Sequence, residues 1–246
     1  MFYKFKKLPE HIAFIMDGNG RWATKRGLIR NLGHKAGIEA VERTLLACNK
    51  YNIKYVTIYA FSTENWKRDK AEVDGIFALL REYLSKKENV FLTKKIKFST
   101  LGVMTPFPDD LKDAIKDLKN KTKDFGDNMT VNFALNYGGR DEIIRAVNKI
   151  IKDKKEKIDE KEFAQYLDTK TIPDPDLIVR TSGEVRLSNF LLYQLAYSEL
   201  YFPKTYWPDF GEKALIKALK VYQKRERKYG GITKWNRAFW LLSALF

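Results

Sequence analysis

The residues best placed to do chemistry follow the first apolar run, Ile12 to Met16, which leads directly into Asp17, Gly18, Asn19, Gly20 and Arg21. Glycines at these positions let the backbone turn tightly and approach a ligand without a Cβ in the way. Asn19 adds a polar arm and Arg21 a fixed positive charge. An acid beside an anion cradle of this kind suits a divalent cation shared with a phosphate group.

Three further groups have matching chemistry. Ser62, Thr63, Glu64, Asn65, Trp66 and Arg68 follow a second apolar run. Ser62 or Thr63 can serve simply as the cap of a strand-to-helix turn, whereas Asn65 and Arg68 bring an amide and a guanidinium next to the expected phosphate site. Trp66 also fits ordinary core. In DLIVRTSGEVRLSNF, Asp176 to Phe190, Arg180, Arg186 and Ser188 share one loop with Ser182 and Gly183. Two planar guanidiniums with hydroxyls fit a second diphosphate, because each fork can engage two oxygens. Glu199 precedes the last short apolar run; it can join Asp17 as a hard oxygen ligand for magnesium or pair with an arginine. Arg30, expected in a loop, and His34, expected at a helix start, can donate to an anion.

The elements that would position these residues alternate as strand and helix. Apolar runs predict strands at Ile12–Met16, Tyr55–Phe61, Lys95–Leu101, Met129–Asn136, Asp176–Arg180 and Leu200–Phe202. Helical spacing links Ile38, Val41, Leu45 and Cys48, and again Val73, Ile76, Phe77, Leu80, Tyr83 and Leu84. Further helices are predicted from Pro108 to about Phe125, over Gly139–Ile151, over Phe163–Leu167 after the charge-mixed linker Lys152–Lys161, and from Asp209 as cap to about Arg227. The expectation is a single α/β domain over residues 1–246, a mostly parallel sheet of about six strands flanked by helices. In such sheets ligands bind beyond the carboxyl ends of the strands, where these polar groups all fall.

Composition narrows the class. The chain has 246 residues, ample apolar content for a core, and one cysteine, Cys48, which excludes an intramolecular disulfide. Its N-terminal MFYKFKKLPEH lacks a secretory pattern, and no window reaches the roughly 20 apolar residues of a spanning helix, so a cytoplasmic location is expected. A net charge of +15 favours anionic partners, yet no nucleic-acid module is recognisable and nucleic acid is not expected as a ligand. No zinc spacing, Walker loop or Ser/His/Asp constellation occurs. His11 and Cys48 read as structural.

Taken in order, HIAFIMDGNGRWA with GLIRNLGHKAG, YAFSTENWKR, NYGGRDEI, DLIVRTSGEVRLSNFLLYQLAYSELYF, WPDF and RERKYGG span nearly the whole chain. Together they closely resemble the cis-prenyltransferases, whose best-known member is undecaprenyl diphosphate synthase. The resemblance implies repeated condensation of isopentenyl diphosphate onto an allylic diphosphate primer, usually farnesyl diphosphate, with Mg2+. It implies a primer-diphosphate site at Gly18, Asn19, Gly20, Arg21, Arg30 and His34, and an isopentenyl diphosphate site at Arg180, Arg186 and Ser188. Asp17 matches the catalytic and metal-binding aspartate, Glu199 a second metal-site acid, and Ser62, Asn65 and Arg68 the catalytic segment. Trp22, Thr63, Glu64 and Trp66 complete the implied substrate-binding set, and Asn65 joins Asp17 as a catalytic residue.

A growing polyprenyl chain needs an apolar tunnel between sheet and helices. Ile58, Ala60, Val131, Phe133, Leu135, Phe77, Leu80 and Leu84 are its candidate walls. The family also implies a homodimer in which Arg225–Gly231 reaches the neighbouring site. Departures are small: Val185 and Asp69 replace residues more often polar or basic and proline, respectively. The tail after Gly231 is unusually aromatic and can meet either a membrane surface, through Trp235, Phe239 and Trp240 with Lys234 and Arg237, or a partner subunit. Two other readings stand against this one. A hydrolase with Asp17 as nucleophile lacks the second acid where Asn19 stands, and a noncatalytic subunit would have a degraded first motif.

Overall fold

The computed structural model describes residues 3–226. Six parallel strands form one sheet: β1 (His11–Ile15), β2 (Tyr55–Ser62), β3 (Ile96–Leu101), β4 (Met129–Tyr137), β5 (Leu177–Arg180) and β6 (Glu199–Tyr201), in the order β3-β4-β2-β1-β5-β6. Each strand expected from an apolar run is present, with ends displaced by at most one residue. All nine residues of β4 are buried, as expected for an interior strand of a parallel sheet covered on both faces.

The described residues also form seven α-helices: α1 (Asn19–Thr24), α2 (Arg30–Lys50), α3 (Lys70–Thr93), α4 (Asp109–Thr122), α5 (Gly139–Lys152), α6 (Glu160–Ala164) and α7 (Glu212–Tyr222). Strand alternation divides the core. Phe14, Val56, Ile58, Phe133 and Val179 pack with apolar residues of α2, α3, α4 and α7 on one face. Ala13, Ile15, Ala134 and Ile178 pack on the other, against Phe190, Leu191 and Leu195 of an irregular segment.

Three expectations are corrected. The glycine-rich turn holds a short helix, α1, because Gly18 alone takes the left-handed bend, at φ 103°. Arg30 does not lie in a loop before His34; it opens α2, so Arg30 and His34 stand one turn apart on the same helix. Asp209 does not cap the last helix. It ends a 3-10 turn, Trp207–Asp209, and α7 begins three residues later at Glu212. That helix also stops at Tyr222, short of the expected Arg227, and residues 223–226 are turn and coil. Residues 227–231 of the Arg225–Gly231 segment and the aromatic tail lie outside the described residues.

Candidate active site

The backbone of Asp17 is fixed where β1 leaves the sheet. Its N–H donates to Thr181 Oγ1 at 2.9 Å, and its carbonyl accepts from Thr181 Oγ1 at 2.7 Å and from Trp207 N at 3.0 Å. Beyond it, Gly18 is enclosed: a Cβ there would lie 2.6 Å from Tyr206 Cδ1 and 2.9 Å from Ser182 Cβ. Two more glycines bring α2 against α1. A Cβ on Gly33 would lie 2.1 Å from Asn19 O, and one on Gly37 2.6 Å from Asn19 Oδ1.

Charge at the site is organised by three acids, each serving two arginines. Asp17 Oδ1 accepts from Arg21 at 2.9 Å and Oδ2 from Arg180 at 2.9 Å. Glu184 accepts from Arg21 at 2.6 Å and from Arg186 at 2.5 Å. Glu72 lies 2.8 Å from Arg68 and 3.8 Å from Arg30. Arg180 is almost fully buried, and its second fork nitrogen donates to Ser188 Oγ at 2.7 Å and to Arg186 O at 2.6 Å. Five arginines against three acids leave excess positive charge, already oriented, at the carboxyl edge of the sheet.

His34 completes the Arg30–Arg68–Glu72 group. Its Nε2 stands 3.5 Å from Glu72, too far for an ordinary hydrogen bond. Burial, followed by the positive charges of Arg68 and Arg30, holds its pKa below the ordinary value despite Glu72. A neutral imidazole with a free nitrogen is therefore available. Asn19 Oδ1, Arg180 Nε and Ser182 Oγ are likewise buried with no hydrogen-bond partner. Buried polar atoms rarely remain unpaired, so their concentration here marks a place for polar ligand atoms.

Below this polar rim lies a cavity of about 620 Å³, lined by Asp17, Asn19, His34, Asn65, Arg68, Arg180 and Ser188 at one end. Apart from Ser62, Glu64 and Asn189, its remaining walls are mainly apolar. Ala60, Phe77, Leu80, Phe133 and Leu135 line it as expected, joined by Ile38, Val41, Ile76 and Tyr83, which the sequence placed on helices but not in the wall. Ile58, Val131 and Leu84 are instead buried in the core and line none of it. Ala60 sits at a register shift where β2 passes β4, a bulge beside a site of the kind that redirects side chains.

The other expected residues separate into those at the site and those that brace it. Ser62 N donates to Asn65 Oδ1 at 2.9 Å, which leaves the amide NH2 of Asn65 for a ligand. Ser62 and Glu64 line the cavity. Thr63 does not; its hydroxyl donates to Glu64. Trp66 is a brace, since its Nε1 donates to Asn136 Oδ1 at 2.8 Å and its ring packs among Phe61, Phe77 and Phe107. Trp22 also faces away from the cavity, donating to Asp209 Oδ1 at 2.7 Å beneath the Arg26 guanidinium. Arg21, Arg30 and Arg186 border the site outside the cavity wall.

Asp17 and Glu199 do not come together within the chain. Glu199 pairs in register with Leu177, and Leu177 with Ile12, five residues before Asp17. The two acids are thus roughly 16 Å apart along the strand direction alone. Glu199 accepts from Arg225 Nη1 at 2.7 Å, the ion-pair alternative. Among the described residues no group of three or more His, Cys, Asp or Glu could hold a metal. Magnesium needs no such cage when substrate phosphates and water supply most of its ligands, so a lone carboxylate, Asp17, among arginines fits that mode.

Glu72, Glu184 and Asn189 were given no role by sequence reasoning. Glu72 had a readable signal, its i,i+4 relation to Arg68. The partners of Asn189 lie 49 and 125 positions away, a separation no local pattern reveals.

A parallel sheet with oriented arginines at its carboxyl edge and an apolar cavity beneath defines a class: a protein built for molecules with an anionic head and a hydrocarbon tail. Comparison with known proteins gives the family. The family described as "Putative undecaprenyl diphosphate synthase" matches residues 15–230. Isoprenyl transferases from Fusobacterium nucleatum and Aquifex aeolicus are 48% and 46% identical, each over 92% of this chain and 98% and 97% of their own. Lavandulyl diphosphate synthase from Lavandula x intermedia, solved with dimethylallyl diphosphate, superposes with a TM-score of 0.87 at 35% identity, covering 90% of this chain and 98% of its own. A probable undecaprenyl diphosphate synthase from Campylobacter jejuni gives 0.77 at 34% identity, over 91% and 99%. The chain belongs to the undecaprenyl diphosphate synthase family of cis-prenyltransferases, and is an isoprenoid diphosphate-using transferase.

Proposed function

We propose that this enzyme adds isopentenyl diphosphate repeatedly to farnesyl diphosphate, giving a long cis-polyprenyl diphosphate of undecaprenyl length for a cell-wall lipid carrier. The observation that carries this reading is the flanking of Asp17 by two cationic groups, Arg30–His34–Arg68 and Arg180–Arg186–Ser188, over one apolar cavity. One group suits the primer diphosphate, with Gly18 to Arg21, and the other suits isopentenyl diphosphate.

In each cycle the bond from the allylic carbon to its diphosphate oxygen breaks, the alkene carbon of the second substrate bonds to that carbon, and a proton is lost. The arginines stabilise charge gathering on the leaving oxygen. Their acid partners hold them in place beforehand, so little reorganisation accompanies bond breaking. Asn65 directs its NH2 group toward the reacting atoms; an amide is no base, so the proton passes to an oxygen of the released diphosphate. Magnesium bound by Asp17 and the substrate phosphates would supply further charge neutralisation. The apolar walls would open into the tunnel that takes up the growing tail.

A shorter product is the second reading, favoured by the likeness to lavandulyl diphosphate synthase. We also propose a cytoplasmic homodimer with peripheral membrane contact; no described helix is long and apolar enough to cross a membrane. Labelled isopentenyl diphosphate incubated with farnesyl diphosphate and magnesium, followed by chromatography of the extracted product, separates the long-chain from the short-chain reading.

A further inference from the structure

The loop that carries Arg186 and Ser188 is held in an unusual backbone state. Ser182, Ser188, Asn189 and Leu191 all have positive φ, between 44° and 75°, a conformation that costs a non-glycine residue energy unless its surroundings enforce it. Contacts on both sides of the loop enforce it. Tyr59, whose ring stacks on Phe190 at 4.3 Å, donates its hydroxyl toward Tyr137 O and Ser188 O. Asn189 O accepts from Gly139 N at 2.7 Å, and Asn189 Oδ1 accepts from Arg140 N at 2.9 Å. That second bond fixes the orientation of the amide, because its oxygen must face Arg140 and its NH2 must face the other way. On that other side stands Glu64, whose Oε1 accepts from Asn189 Nδ2 at 2.8 Å.

Glu64 immediately precedes Asn65. We propose that Asn189 and Glu64 form a latch that sets the distance between the Arg186–Ser188 loop and the Asn65 segment, and so aligns isopentenyl diphosphate with Asn65. Both are positioning residues. Glu64 is thereby assigned to the loop and not to the substrate, although it borders the cavity. Gly138 sits between the two segments: a Cβ there would lie 2.7 Å from both Asn189 Nδ2 and Thr63 Oγ1. The closed latch needs that position empty. The Glu64 carboxyl is consistent with the arrangement, since the Asn189 donor and nearby hydroxyls bring its pKa below the ordinary value against burial, which acts in the opposite sense. The inference rests on the proposed placement of isopentenyl diphosphate at Arg180, Arg186 and Ser188.

A donor–acceptor exchange tests the latch. Asn189→Asp keeps the oxygen that faces Arg140 but sets a second carboxylate against Glu64. It is expected to raise KM for isopentenyl diphosphate about tenfold and to lower kcat, with KM for farnesyl diphosphate unchanged. The double variant Glu64→Gln with Asn189→Asp restores a bond with donor and acceptor reversed, and most of the loss should return. Gly138→Ala should give the same KM split with neither latch residue altered; circular dichroism and melting temperature show that each variant is folded. Unchanged kinetics in Asn189→Asp, or a double variant no better than the single one, would overturn the latch. A shift confined to KM for farnesyl diphosphate and rescued in the double variant would uphold the latch and overturn the diphosphate assignment beneath it.

Discussion

Arg180 reaches Asp17 at 2.9 Å from the end of the neighbouring strand while its other fork nitrogen holds Ser188 at 2.7 Å. One buried guanidinium thus connects the expected metal-binding acid with the expected isopentenyl diphosphate loop. The acid between two arginines is oriented before any ligand arrives, as electrostatic catalysis requires.

Asp17→Asn should lower turnover about a thousandfold, because the carboxylate that orients Arg21 and Arg180 and would hold magnesium is lost. Asp17→Ala should do the same and also leave buried Arg180 with one partner fewer, costing about 1–3 kcal/mol of stability. Steady-state kinetics and urea unfolding measure the two effects. Near-normal turnover in Asp17→Asn would show that the charge is dispensable.

Gly18→Ala tests the close approach at the rim. The left-handed φ and the contact with Tyr206 both oppose a side chain, so the primer loop must shift. Weaker binding of farnesyl diphosphate, by tenfold or about that, is expected with the fold retained. Equilibrium binding to a catalytically silent background such as Asp17→Asn reads it directly, and equal affinity with and without Gly18→Ala would contradict it.

The pH dependence of stability should contain a contribution from His11. Its ring is fully buried, with Nδ1 2.7 Å from Pro173 O and Nε2 2.8 Å from Thr57 Oγ1, and burial lowers its pKa to about 4. The folded pKa is below the unfolded one, so the unfolded chain takes up the proton first. The stability His11 contributes is therefore present above about pH 6.5 and is lost as pH falls toward 4, by roughly 3 kcal/mol at most. The difference in unfolding free energy between the native chain and His11→Asn should shrink between pH 7.5 and pH 4.5. A constant difference would contradict it.

The cavity walls should control product length. Leu80 is almost fully buried yet lines the cavity; Leu80→Trp adds bulk there without touching the polar rim. Shorter products at a nearly unchanged rate of the first condensation are expected. The native product distribution would show that the growing tail takes another route.

Strands and the convergence of polar groups were legible because parallel strands leave continuous apolar runs and their carboxyl ends leave polar ones. Asp17, Asn65, Arg68, Arg180 and Ser188 could be placed at one crevice on that ground. The helix after Gly18 was not legible, since two glycines in three positions read locally as a turn. The packing of Trp22 and Trp66 was not legible, because a motif gives residue type but not the direction of a side chain. Asp209 and Asn136 claim their indole N–H groups from 187 and 70 positions away. Glu199 shows the same limit: its distance from Asp17 depends on the β5–β6 register, which no local pattern records.

The two-diphosphate site is tested most directly by incubating the enzyme with labelled isopentenyl diphosphate, farnesyl diphosphate and magnesium, beside Asp17→Asn and Arg180→Ala, and separating the extracted products by chain length. Successive elongation by the native chain, lost in both variants, is the expected result. Release of inorganic phosphate or diphosphate from the primer with no carbon–carbon bond formed would contradict it, because the crevice would then be a hydrolytic centre and not a condensation site.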